Sequence, residues 1–183
     1  MENTKKTFSA RRMTSSAVCL ALCMLLPLIT GQNPMLGSAL GLMHIPVLLC
    51  GFVSGPMHGA IIGLIAPLMR SAIFGMPPMI PMAVSMSYEL MTYGLISGAL
   101  YAALPKKTIN IYISLITAMI LGRIVFGAAM AIVTGATASV SIFLTATQTF
   151  TAAAFTDAIP ALIVHIALIP IIVIALQKAK VIS

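Results

Sequence analysis

The chain has 183 residues, of which 60% are hydrophobic and 7% are charged, and its mean hydropathy is +1.11. A soluble domain of this length cannot bury so much apolar surface, and long continuous apolar runs disfavour the alternating strands of an outer-membrane barrel. The formal charge of +7 lies mainly at the chain ends and in one short loop, a pattern typical of cytoplasmic flanks and not of nucleic-acid binding. We therefore predict an all-α membrane protein with one domain over residues 1–183.

Six apolar segments are long enough to cross a bilayer, whose hydrocarbon core of about 30 Å needs about 20 helical residues. They cover residues 13–30, 36–53, 56–74, 80–104, 109–133 and 150–176. For the first segment the alternative is a secretory signal, but the five later segments favour a retained helix. The sequence therefore predicts six transmembrane helices, with a longer outer segment at residues 134–149.

The basic residues in the loops give the orientation of these helices. They precede the first span and follow the fourth and the sixth, at Lys5, Lys6, Arg11, Arg12, Lys106, Lys107, Lys178 and Lys180. With six crossings all three groups lie on one side of the membrane, and the positive-inside rule makes that side cytoplasmic. We expect a multi-pass protein of a bacterial plasma membrane, with a basic cytoplasmic N-terminus at residues 1–12 and a cytoplasmic tail at 177–183.

Four ionisable residues lie well inside the predicted spans: Arg70, Glu89, Arg123 and Asp157. At about 1.5 Å of rise per helical residue, all four reach the outer half of the bilayer. A charged side chain at such a depth costs at least a few kcal/mol unless it meets a partner or a water-filled cavity. One interpretation is two interhelical ion pairs that hold the bundle together. The other is a polar cavity, open to the outside, that binds a small molecule.

Aromatic and imidazole groups lie near the same levels. Tyr88 and Tyr93 flank the acidic residue of the fourth span, and His44 lies about two turns into the second. Such side chains can stack on a heteroaromatic ring and hydrogen-bond to it. We expect the other two histidines, His58 and His165, nearer the cytoplasmic side.

Two outer loops carry turn residues, GQNP after the first span and GMPP after the third. Proline and glycine stop helices and form tight corners. These loops are either ordinary connectors or closures over a site, and in the second case Asn33 is a candidate substrate-binding residue.

Small residues recur at helical spacing in the first three spans. Ala17 and Ala21 form an AxxxA step, and consecutive GxxxG steps run through residues 51–63. Such steps let membrane helices approach closely, most often within one bundle. Cys19, Cys23 and Cys50 are interpreted as small core residues, and no metal site is predicted from them.

No GxSxG, HExxH or paired-acid motif is present, so an intramembrane enzyme is disfavoured and no catalytic residue or cofactor is predicted. A stand-alone secondary transporter or channel is the principal alternative to a binding subunit, because intramembrane charges also mark ion pathways. A purely structural subunit is the third possibility.

Three segments in this order resemble the substrate-binding S components of energy-coupling factor (ECF) vitamin transporters. They are HIPVLLCGFVSGPMHGAIIGLIAPLMR, YELMTYGLISGALY and LGRIVFG. The resemblance implies six helices with both termini cytoplasmic, and an outward-facing cavity that binds a vitamin or precursor with high affinity. It also implies that the loop at residues 31–36 gates this cavity.

The same resemblance implies partners. Ala17 and Ala21 would contact a transmembrane T coupling subunit, which works with two cytoplasmic ATPases; the chain itself has no GxxxxGK[ST] phosphate loop. Arg70 and Arg123 suit a carboxylate such as that of pantothenate. Glu89 and Asp157 suit hydroxyl or ring-nitrogen groups of a pyridoxine-, hydroxymethylpyrimidine- or ribazole-like molecule.

Overall fold

The computed structural model describes residues 10–29, 41–105, 107–137 and 158–179, and it contains no strand in these ranges. The described residues form six α-helices: α1 Ala10–Ile29, α2 His44–Ser54, α3 Pro56–Phe74, α4 Val84–Ala103, α5 Thr108–Thr137 and α6 Ala158–Lys178. A single π-helical turn, Met79–Ala83, leads into α4. The predicted all-α class is therefore confirmed.

Helix α3 has the bounds that the sequence predicts, residues 56–74, and α1, α4 and α5 agree within a few residues. Helix α2 is shorter than the predicted span and begins at His44, after a turn at residues 41–43. The described part of α6 begins at Ala158, eight residues after the predicted start. The predicted outer segment at 134–149 lies outside the described residues from residue 138 onward.

Among the described residues, four helices are long and apolar enough to cross a membrane: α1, α3, α5 and α6. Their outward faces carry large apolar side chains, as on α5, where Ile113, Ile116, Ile120 and Ile124 are all exposed. An apolar helix surface of this kind is stable in lipid and not in water. The chain is therefore a multi-pass membrane protein, while six crossings and cytoplasmic termini remain predictions.

Helices α2 and α4 lie between two apolar cores. One core joins them to α5 and α6 and includes Leu48, Ile111 and Ile169. The other joins them to α1 and α3 and includes Cys23 and Ala66. Because both cores share α2 and α4, the groups that these two helices carry are the most enclosed of the bundle.

A line of glycines lets α4 approach α2 and α3 closely. We call Gly51, Gly59, Gly63, Gly94 and Gly98 the glycine seam. A Cβ on any of these residues would overlap backbone atoms of the facing helix, for example Gly59 against Gly94. The predicted close packing is thus confirmed at Gly51, Gly59 and Gly63, whereas Gly55 of the same GxxxG series has no close helix neighbour.

Helices α2 and α3, which both face α4 across the glycine seam, are separated by one residue, Gly55. Gly55 has φ 97° and ψ 172°, a conformation that side chains disfavour, and Pro56 begins α3 at the position where proline suits a helix. This break ends α2 after only 11 residues.

Candidate functional site

Glu89 is the only acidic residue within the described part of the chain, and its side chain is 1% exposed. It lies in the second turn of α4, on the side of that helix that faces α5. A buried carboxylate is stable only if other groups compensate its charge and satisfy its lone pairs.

Two polar groups interact with Oε1 of this carboxylate. The Tyr93 hydroxyl, one helical turn further along α4, donates to Oε1 of Glu89 over 2.7 Å. The Nε of Arg123, on α5, lies 3.3 Å from the same oxygen. The Arg123 side chain is 29% exposed, so this ion pair reaches from the core toward the surface.

Two imidazoles complete the group. Nε2 of His44 lies 3.8 Å from the second carboxylate oxygen, Oε2, which is too far for a direct hydrogen bond. The His44 ring also contacts Tyr93, with centroids 5.5 Å apart, and His165 of α6, with centroids 5.8 Å apart. Nε2 of His165 is 3.1 Å from the carbonyl oxygen of Gly41. We call Glu89, Tyr93, Arg123, His44 and His165 the Glu89 cluster.

Several polar atoms of the Glu89 cluster have no hydrogen-bond partner in the part of the chain that the structure describes. They are both ring nitrogens of His44 and Nδ1 of His165, and all three are buried. Buried nitrogens without partners are uncommon in folded proteins and usually indicate a bound water or ligand. The cluster thus combines a compensated ion pair with imidazoles that can still bind a polar group.

A glycine that the sequence did not single out positions Tyr93. A Cβ on Gly122 of α5 would overlap the Tyr93 ring and lie 3.2 Å from the backbone oxygen of Glu89. Because Gly122 has no side chain, the Tyr93 ring can pack against α5 with its hydroxyl directed at Glu89. The only sequence signal was its place beside Arg123 in LGRIVFG.

The expectation that His165 lies at a different level from His44, nearer the cytoplasmic side, is wrong about the level, because the two ring centroids are 5.8 Å apart. Depth was counted from Phe150, and residues 150–157 lie outside the described residues.

The structure does not bring Arg70 to Glu89. Arg70 is buried on the side of α3 that faces α1, where its Nη1 donates to the carbonyl oxygen of Met24 over 3.3 Å. Its guanidinium lies 5.5 Å from the centroid of the Phe74 ring. The predicted convergence of two arginines on one site therefore holds for Arg123 only, because depth along a helix does not determine which face a residue occupies.

The other predicted ligand-binding residues either point away from Glu89 or lie outside the described residues. The side chain of Tyr88 is 44% exposed, since it points away from its neighbour Glu89 on α4. Asn33, Asp157 and the predicted gate at residues 31–36 lie outside the described residues. Whether any predicted residue binds a ligand stays a prediction.

The AxxxA step lies on the outer side of α1. Ala17 and Ala21 are both exposed, whereas Cys19 and Cys23 on the same helix face the core. Beside the alanines, a groove of about 420 Å³ runs between α1 and α2, with Thr14 among its lining residues. This surface is available to another membrane helix.

Within the described ranges, no three His, Cys, Asp or Glu side chains are arranged to hold a metal ion. The three cysteines are buried and free. Sulfur contacts link two of them to neighbouring groups, at 3.7 Å from Cys50 Sγ to Ser16 Oγ and 3.7 Å from Cys23 Sγ to the Met43 carbonyl oxygen. These contacts fit their interpretation as core residues.

A protein-family model described as the substrate-specific component of ECF transporters matches residues 11–177 of the chain. The match covers every helix of the bundle except the ends of α1 and α6. Neither a curated protein nor a solved structure gives a significant match.

Proposed function

The chain belongs to the family of ECF transporter substrate-specific components, and we propose that it is the high-affinity binding subunit for uptake of a small water-soluble vitamin or vitamin precursor. The family consists of substrate-binding subunits of transporters and is not a family of enzymes. In the proposed mechanism the chain crosses the membrane six times, with both termini in the cytoplasm and the site open to the outside.

The observation that carries this proposal is the burial of Glu89 among polar groups from three other helices. His44 of α2, Arg123 of α5 and His165 of α6 come together with α4 around the only acidic side chain of the described residues. The ring nitrogens of His44 make no hydrogen bond within the described residues. A site for a polar ligand accounts for these open groups.

We assign binding of the ligand to Glu89, Arg123, His44 and Tyr93, and a supporting role to His165. Asn33 and Asp157 are proposed to complete the site from the loop at 31–36 and the start of the sixth span. Arg70 and Tyr88 remain candidates only if the ligand-bound protein differs from the present arrangement, because both point away from Glu89.

Energy for uptake is proposed to come from partners. Exposure of Ala17 and Ala21 supports α1 as the surface that a transmembrane T subunit contacts, with two cytoplasmic ATPases attached to it. We expect Ala17→Leu to abolish uptake into cells that contain the partners, because a large side chain prevents close approach of the helices. Binding of the ligand in detergent should not change.

The control for this variant is Ala167→Leu, which adds the same side chain at an exposed position of α6 and should leave uptake intact. Uptake that continues in Ala17→Leu would contradict the assigned partner surface. Loss of binding in that variant would instead place this face of α1 in the ligand site.

The proposed function itself is tested by identifying the bound molecule. The protein is purified from cells grown in rich medium and denatured, and the released small molecules are measured by mass spectrometry. We expect one vitamin-sized compound in near-stoichiometric amount. No such compound, followed by no thermal stabilisation with any B vitamin, would favour a stand-alone transporter, a channel or a structural subunit.

A further inference from the structure

The charges and open hydrogen-bonding groups of the Glu89 cluster define the kind of molecule that fits it. We infer that the ligand is not a carboxylate or another anion, and that it presents an O–H or N–H donor to Oε2 of Glu89. This inference rests on the proposed function and narrows it to substrates without a net negative charge.

The first argument is the charge of the site. Glu89 and Arg123 form an ion pair at 3.3 Å, so their charges cancel, and Asp157, which is proposed to complete the site, would add a second carboxylate. An anionic ligand would therefore add one uncompensated negative charge to an enclosed region of the bundle.

The second argument is that no other cation is free to receive an anion at this place. The remaining buried arginine of the described ranges, Arg70, is directed toward Met24 and Phe74 on the far side of α3. Arg123 does have nitrogens beyond the one that faces Glu89, but a carboxylate bound there would lie close to the Glu89 carboxylate. Like charges so placed repel each other strongly when they are poorly solvated.

The third argument is geometric. Oε2 of Glu89 and Nε2 of His44 are separated by 3.8 Å, and a single oxygen atom can lie about 2.8 Å from both. A hydroxyl in that position donates a hydrogen bond to the carboxylate and accepts one from the imidazole, so it acts as both donor and acceptor. A carboxylate of the ligand can only accept, so it cannot make the bond to Oε2.

Among the substrate types that the sequence left open, these arguments favour the pyridoxine-, hydroxymethylpyrimidine- and ribazole-like molecules over a pantothenate-like one. All four types carry hydroxyl groups that can donate to Oε2, but only the pantothenate-like one also carries a carboxylate, so the charge of the site decides between them. The distinction is one of chemical class, and it can be measured without knowing the natural ligand.

Two matched pairs of probes differ only in having a hydroxymethyl group or a carboxylate at one position: panthenol with pantothenate, and pyridoxine with 4-pyridoxate. Binding of each to the full chain in detergent is measured by calorimetry, and the charge of the co-purified compound is read from its identity. We expect the alcohol of any pair that binds to be preferred by about tenfold or more, and the co-purified compound to carry no net negative charge.

Two charge variants and one control variant test whether the Glu89–Arg123 pair sets this preference. Glu89→Gln leaves the charge of Arg123 uncompensated, so the preference for the alcohol should fall by about tenfold. Arg123→Gln leaves the carboxylate uncompensated and should increase that preference, which keeps the test usable if the first variant does not fold. Thr92→Val removes a hydroxyl from α4 outside the Glu89 cluster and should leave the preference as in the wild type.

Tighter binding of the carboxylate, or an anionic co-purified compound, would overturn the inference and leave the proposed function standing. Absence of any co-purified compound, with no binding of any probe, would instead overturn the proposed function and the inference that rests on it. An unchanged preference in both charge variants would show that the Glu89 cluster does not select the ligand.

Discussion

Helix α4 has two different inner faces. On one, Gly94 and Gly98 of the glycine seam lie against the backbones of α2 and α3, with no side chain between them. On the other, Glu89 and Tyr93 meet α5 through polar side chains, near imidazole nitrogens that have no partner within the described residues. The first face fixes the position of the helix, and the second carries the proposed binding site.

This difference teaches how a small membrane protein can enclose a charge. Placing Glu89 in the bundle requires that its compensating groups stay within hydrogen-bond distance. The glycine seam supplies that rigidity from the opposite side of α4, because backbone-to-backbone contact leaves no room to shift. Substitutions on the two faces should therefore differ in kind: the seam should control stability and the Glu89 cluster should control binding.

The largest effect is expected at the seam. Gly94→Leu would drive a side chain into the backbone of Gly59, and no rotamer avoids this overlap. We expect a loss of about 3 kcal/mol or more in the free energy of unfolding. Thermal unfolding in detergent measures this loss. Ala99→Leu, an exposed change on the same helix, is the control, and equal stability of the two variants would contradict the assigned role of the seam.

A smaller effect is expected where α5 supports the Glu89 cluster. In Gly122→Ala the added methyl displaces the Tyr93 ring, so the bond from its hydroxyl to Glu89 lengthens. Ligand affinity should fall by about tenfold, whereas the unfolding temperature should fall by only a few degrees.

A double-mutant cycle separates this positioning role from a general packing defect. In a Tyr93→Phe background the hydroxyl is already absent, so Gly122→Ala should cost much less of the remaining affinity. Equal losses of affinity in both backgrounds would mean that Gly122 does not act through Tyr93.

The smallest effect is expected at the other end of α4. There the Tyr101 hydroxyl accepts a hydrogen bond of 2.6 Å from Nε2 of Gln177, which joins α4 to α6. Tyr101→Phe should lower stability by about 1 kcal/mol and leave ligand affinity unchanged. A tenfold change in affinity would mean that the binding site extends to this end of α4, and it would contradict the assignment of ligand binding to the Glu89 cluster alone.

The helix bounds were predictable from the sequence where glycine and proline mark the start or the end of a helix. Gly55 with Pro56 gives a clear start for α3, and Gly75, with φ 71°, gives a clear stop. The level of His165 was not predictable in this way, because the Ala- and Thr-rich residues from which its depth was counted carry no comparable signal.

The site was predictable only in part, for a different physical reason. A buried charge needs a partner, so the similar depth of the four intramembrane charges predicts that they meet, and Glu89 and Arg123 do. Depth gives the level of a residue but not the face of its helix, and Arg70 proved to face α1 instead. The role of Gly122 depends on contact between two helices, which no local pattern in the chain records.

The central claim is that Glu89 binds the ligand and does not merely hold the helices together. Its most direct test is the dissociation constant of the co-purified compound for the wild type, Glu89→Gln and the Glu89→Gln/Arg123→Gln double variant, with thermal stability measured on the same samples. We predict affinity about a hundredfold weaker in both variants, with the double variant folded because its pair is uncharged. Wild-type affinity in a folded double variant would contradict the claim and leave Glu89 a structural residue.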